Sequence, residues 1–185
     1  TASTLPDIST NFDYLCCPRS VSDLSSKIGL GHIGPKVRRM IKHSPFPILI
    51  TSPVFKPWKS ISVFFGGSKN ALNALKLGLK IAISSGFGLK IYTLLEKQDK
   101  AYYKDLIQKE GLAEPVKQLS GHWHFYEKKD FNTMLYDVPH DSLIVLGAYG
   151  HGIIKDILLG SKMEQIQSTV TNNLLITGPY CSVKL

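Results

Sequence analysis

The sequence has little of what would tie a chain together covalently or hold it in a bilayer. Three cysteines occur in 185 residues, two of them adjacent (Cys16, Cys17) and one near the end (Cys181). That number and spacing exclude a disulfide framework and suit reduced thiols. No apolar run approaches the ~18 residues that a membrane span needs. The opening residues also lack a signal-peptide pattern. We therefore expect a cytoplasmic protein with no transmembrane segment. Acidic residues are scarce as well: 14 Asp and Glu stand against 22 Lys and Arg, a formal net charge of +8. Such a surface raises encounter rates with anions, nucleotides included. Basic residues never run beyond an adjacent pair and no aromatic-basic RNA motif is present, so no specific nucleic-acid partner is expected.

What is present concentrates in one stretch, Asp141 to Pro179. Leu143 to Leu146 is an unbroken apolar run that predicts a strand buried on both faces. Gly147, Gly150 and Gly152 follow at once. Gly160-Ser161 then opens a helical pattern carried by Met163, Ile166 and Val170, and Leu174 to Ile176 predicts a second strand. Parallel α/β proteins build phosphate sites from this order of strand, glycine loop, helix and strand. Glycine lets the backbone approach the anion, and unpaired N–H groups at a helix start favour negative charge. The spacing is neither a dinucleotide GxGxxG nor a P-loop, since no Lys-Ser/Thr pair follows the glycines at the required distance.

Upstream, a full alternation of elements begins at Ser60. Ile61 to Phe65 predicts a first strand and Gly66-Gly67-Ser68 a turn, with Ser68 as N-cap of an apolar helix through Leu72, Leu75, Leu79 and Ala82. Gly86 lies just past its end. Leu89 to Leu95 reads as a second strand and Asp99 to Lys109 as an amphipathic helix. A third strand is expected within Val116 to Tyr126, and a short helix around Asp130 to Tyr136. Strands alternating with helices imply an α/β protein, an open parallel sheet with helices on both faces. Ligands in such sheets sit at the carboxyl ends of the strands, where the strand order switches.

The spacing of Gly147, two residues, Gly150, nine residues and Gly160-Ser161 resembles the nucleotide signature of the universal stress protein family, in its ATP-binding branch. The resemblance implies that family's adenine nucleotide alpha hydrolase-like fold and ATP as ligand, with Mg as an accompanying ion at most. It implies that Gly147, Gly150, Gly160 and Ser161 surround the ribose and phosphates, with His151 and Lys162 in the same segment. His151 reads equally as a phosphate donor or a plain loop histidine. Asp156 reads as a solvated turn carboxylate or a neighbour of the nucleotide's ion. Gly66, Gly67, Ser68 and Leu94 fall on the base side of the same crevice. ATP-binding members usually carry an aspartate right after the first strand, in an Asp-Gly-Ser turn. Here Gly66 takes that place.

An internal repeat frames this unit. FPILITSP, ending at Pro53, aligns with NNLLITGP, ending at Pro179, at a separation of 126 residues, and Gly34 and Lys36 then fall on Gly160 and Lys162. Residues 1–57 accordingly read as a partial, degenerate first universal stress repeat and residues 58–185 as a complete one, the C-terminal part of a tandem protein. At that offset Val21 and Leu24 fall near the places of Gly147 and Gly150, and Pro35 replaces Ser161, so no nucleotide is expected on the first copy. In the family, final strands commonly meet edge to edge across a two-fold axis. Ile48 to Ile50 and Leu174 to Ile176 are therefore expected to pair antiparallel, with a homodimer or the other repeat as partner.

No catalytic or metal-binding set is assigned. No Ser/His/Asp or Cys/His arrangement emerges, and His122 and His124 share a strand face without a cysteine or carboxylate nearby in sequence. The reading is an ATP-binding regulatory domain acting through nucleotide-dependent association, at most a slow ATPase. The alternative is an interaction module that binds no nucleotide, such as a cytoplasmic regulatory appendage of a transporter.

Overall fold

A computed structural model describes residues 13–18, 35–52, 55–149 and 171–185 of the chain. In chain order the elements are β1 (Leu15–Pro18), α1 (Pro35–His43), β2 (Ile48–Thr51), β3 (Ser60–Phe64), α2 (Lys69–Ser85) and β4 (Gly88–Leu95). They continue with α3 (Lys100–Lys109), α4 (Ala113–Leu119), β5 (Ser120–Glu127), α5 (Phe131–Tyr136), β6 (Ser142–Gly147) and β7 (Leu174–Thr177). The strands form one seven-stranded sheet in the order β1-β2-β7-β6-β3-β4-β5. All neighbouring pairs are parallel except β2 with β7.

The apolar runs lie where burial is complete. Every residue of β6 and β7 is buried, as their unbroken hydrophobic sequence requires of strands covered on both faces. Polar residues inside the sheet are paired: the Ser62 hydroxyl of β3 donates to Ser142 Oγ at 2.9 Å. α2 begins where its cap predicts, with Ser68 Oγ accepting from the Ala71 N–H at 3.2 Å. It ends at Gly86, left-handed at φ 72°, whose N–H donates to Ala82 O. Gly78 lets the helix lie against β3, since a Cβ there would sit 2.5 Å from Val63 Cγ2.

One element departs from expectation. The segment from Val116 begins in helix: α4 covers Ala113–Leu119, and β5 starts only at Ser120. Pro115 stands in the first turn, where a missing N–H costs nothing, and Leu112 and Val116 are buried one turn apart.

The two copies of the ILIT/LLIT strand lie side by side and antiparallel, Ile48 opposite Ile176, Leu49 opposite Leu175 and Ile50 opposite Leu174. This register is centred on Leu49 and Leu175, which are themselves 126 positions apart. A pseudo-two-fold relation therefore passes between these two leucines. β1 stands to β2 as β6 stands to β7: Leu15 pairs Ile48 as Ile144 pairs Leu174, and Pro18 pairs Thr51 as Gly147 pairs Thr177. The place of Gly147 in the first copy is thus taken by Pro18, and not by a residue near Val21. Thr51 and Thr177 are 126 positions apart but Pro18 and Gly147 are 129, so the connections between strand and strand differ by three residues. A constant sequence offset could not show this.

Candidate functional site

β3 and β6 are adjacent and parallel, Ser60 opposite Ser142 through Phe64 opposite Leu146. From β3 the chain moves through α2 to β4 on one side, and from β6 it moves to β7 on the other. This is the switch in strand order at which open α/β sheets leave a crevice. The Gly66–Ser68 turn, Leu94 and Gly147 lie at the carboxyl ends of β3, β4 and β6 around it. Gly150, His151, Gly160, Ser161 and Lys162, with Asp156, lie outside the described residues.

The turn after β3 is lined by backbone and aromatic rings. Gly67 has φ +74°, and a Cβ on it would come within 3.0 Å of Tyr103 Cε1 and 3.4 Å of Tyr102 Cε1. Gly66 is absent from the positive-φ residues, which among the described residues are Gly67, Gly86, Gly111 and Tyr149. Phe65 spends both backbone groups inside the fold. Its N–H donates to Tyr92 O at 2.9 Å, and its carbonyl accepts from Thr93 Oγ1 at 2.9 Å. Trp123 Nε1 in turn donates to Thr93 Oγ1 at 2.9 Å. Leu94 is buried. Ser68 spends its hydroxyl as the helix cap. An open groove of about 840 Å³ runs from Gly67 along α2, bordered by Lys69, Lys76, Glu110 and Lys184, with Lys76 and Glu110 ion-paired at 3.0 Å.

At the end of β6 the described residues are tightly tied. A Cβ on Gly147 would overlap the backbone of Asn70 and Ala71, so the end of β6 is pressed against the first turn of α2. Asn70 Nδ2 donates to Ala148 O, Thr177 Oγ1 donates to Asn70 O at 2.9 Å, and Ala148 N–H donates to Thr177 O at 2.8 Å. Tyr149 then turns away in a left-handed conformation, φ 56°, and its hydroxyl donates to Arg38 O of α1 at 2.9 Å. Sequence reasoning overlooked Asn70, Thr177 and Tyr149. The signal available was Asn70 itself, which with Asn73 is a polar residue on the buried face of α2.

The turn at residues 66–68 sets no negative charge against an anionic ligand. Glycine keeps the backbone accessible there. The turn supplies no carboxylate for a base. His122 and His124 do stack on one face of β5, ring centroids 5.9 Å apart, and His124 also stacks on Tyr92 at 5.2 Å. Burial lowers the His124 pKa, with Lys90 and His122 adding to the effect and Asp137 opposing it. Among the described residues no cluster of three or more His, Cys, Asp or Glu could hold a metal ion. No described helix is long and apolar enough to cross a membrane.

No protein-family model matches the chain. Universal stress protein Slr1230 of Synechocystis sp. is 23% identical over 169 residues, which cover 88% of this chain and 56% of that protein. A universal stress protein from Archaeoglobus fulgidus superposes with TM-score 0.68 at 18% identity, over 96% of this chain and 64% of its own. A Pseudomonas aeruginosa protein assigned to the same family gives TM-score 0.60 at 13% identity, over 97% and 66%. The chain thus spans about half the length of the curated relative and less than two thirds of either solved structure. The structural likenesses establish the fold, and the sequence likeness points to the same group. Together they show that the chain has the fold of the universal stress proteins and resembles that (UspA-like) family in sequence.

Proposed function

We propose that the chain is a regulatory domain that binds ATP at the switch between β3 and β6 and changes its association when the nucleotide is bound. The observation that carries this reading is the position of the glycine signature. Gly147 ends β6 at that switch, and the spacing to Gly150 and Gly160-Ser161 follows from there. Main-chain N–H groups in such a loop suit phosphates. Association enters through the β2–β7 seam, which joins two copies of one strand across a pseudo-two-fold relation. On this reading residues 1–57 are the end of a first repeat. β1 takes the place of β6, so a strand equivalent to β3 would fit against its outer edge.

Calorimetry on Gly150→Val tests the site. A β-carbon at Gly150 obstructs the backbone's approach to a phosphate, so the substitution should abolish ATP binding and leave the far-ultraviolet spectrum and melting largely unchanged. Unaltered affinity in the folded variant removes the site from consideration.

A second reading has one observation in its favour: Gly66 stands where the family's ATP-binding members carry a carboxylate. An interaction module that keeps the fold without useful nucleotide affinity would tolerate that change. Mass spectrometry of nucleotide retained through gentle purification separates the two readings.

A further inference from the structure

We infer that Tyr102 is the platform on which the nucleotide base rests, and that the site accepts nucleoside triphosphates with little regard to which base they carry. The inference rests on the nucleotide-binding reading above and adds the recognition of the base to it. Three observations meet at one place. The turn after β3 offers no side chain to read hydrogen-bonding groups of a base, because positions 66 and 67 are both glycine. The space a side chain on Gly67 would claim is bounded by rings from α3, Tyr103 Cε1 at 3.0 Å and Tyr102 Cε1 at 3.4 Å. Of those two rings, Tyr103 is buried at 5% exposure while Tyr102 is 40% exposed.

The exposed ring is held from behind. Tyr103 packs edge-on against Tyr102 with centroids 5.3 Å apart at 85°, and is itself wedged edge-on against Phe65 at 6.1 Å. The Tyr102 backbone is fixed as well, its N–H donating to Asp99 Oδ1 at 2.9 Å in the cap of α3. An aromatic face that is oriented before the ligand arrives loses little freedom on binding. A large ring left partly in water beside a candidate base site needs a partner less than it offers one. Stacking on a tyrosine does not distinguish purines by their edges, since every base presents a π-face. The missing carboxylate and the exposed ring therefore describe one design, in which affinity for the base is retained and selectivity for adenine is not.

Calorimetry on the full chain with ATP, GTP and inorganic tripolyphosphate tests this. Wild type should bind ATP and GTP within about threefold of one another. Tyr102→Ala should weaken both by roughly tenfold, the scale of one lost base–aromatic stack, and leave tripolyphosphate unchanged. Tyr102→Phe, which keeps the ring, should bind all three as wild type does, and both variants should melt near the wild-type temperature. If Tyr102→Ala binds ATP as tightly as wild type while tripolyphosphate still binds, the platform is overturned and the phosphate site stands. An ATP preference of a hundredfold over GTP overturns the base tolerance. If wild type binds none of the three, the nucleotide reading falls and the platform falls with it.

Discussion

At the scale of single residues, the glycines of this chain do different work, and φ separates them. Gly67 needs its left-handed conformation and would be strained by any side chain, whereas Gly66 has no positive φ to lose. Gly66→Asp restores the carboxylate usual at that position without backbone strain. A hydrogen bond to the base of about 1–3 kcal/mol corresponds to one to two decades in affinity. ATP should therefore tighten by roughly tenfold or more, and tripolyphosphate should not. Gly67→Asp should instead lower the melting temperature. Equal effects of Gly66→Asp on both ligands would show that Gly66 does not face the base. Cys181 illustrates a second residue-scale effect. It is 3% exposed, and burial pushes its thiol up to about 11 from an ordinary 9.0. The protonated thiol is the form the fold accommodates, so its contribution is complete below about pH 9 and is lost as pH climbs toward 11. Tyr92 and Tyr103, raised chiefly by burial, act in the same direction. The urea midpoint should hold to pH 8.5 and fall steadily by pH 10.5, with a smaller fall in Cys181→Ala. A flat midpoint over that range would contradict this account.

At the scale of elements, the junction of β6 with α2 decides how Gly147 is understood. In the sequence its spacing to Gly150 and Gly160 suggests a phosphate loop, and in the fold its α-carbon is pressed on the Asn70–Ala71 backbone. Gly147→Ala should cost about 1–3 kcal/mol, the range for forcing a methyl into packed structure, measured by urea unfolding without ligand. An unchanged midpoint would return Gly147 to a purely ligand-binding role. The same junction shows what was legible beforehand. β6, β7 and α2 were readable because continuous apolar runs, the Ser68 cap and Gly86 are local signals. The pairing of β2 with β7 was readable from the repeat. α4 was not, since Pro115 reads as a break until the helix start is fixed around it. Pro18 in the place of Gly147 was hidden by a change of three residues in offset, which only strand register exposes. The turn after β3 could be read, but the Tyr102 and Tyr103 rings reach it from a separate helix some 35 residues on. Contacts of that kind leave no periodic trace.

At the scale of the whole molecule, one seam carries the relation between the two parts of the sheet. β7 is an interior strand, hydrogen-bonded to β6 on one side and to β2 on the other, and its residues are all buried. Leu174, Leu175 and Ile176 would form an exposed apolar edge without β2, and such an edge is a template for pairing. The strand best suited to replace β2 is a second β7, since ILIT and LLIT differ only at Ile48 against Leu174. The antiparallel register centred on Leu175 places Leu174 opposite Ile176 of another copy, as β2 now places Ile48 opposite Ile176. Such a contact is its own mirror under a two-fold axis and closes at two subunits. A chain of residues 55–185 should therefore dimerise through β7, and Leu175→Lys should return it to a monomer by placing a charge at the centre of the seam. Light scattering across a concentration series checks both. A fragment that stays monomeric while folded would show that the β2–β7 seam depends on contacts from β1 and α1, and not on the strand edge itself.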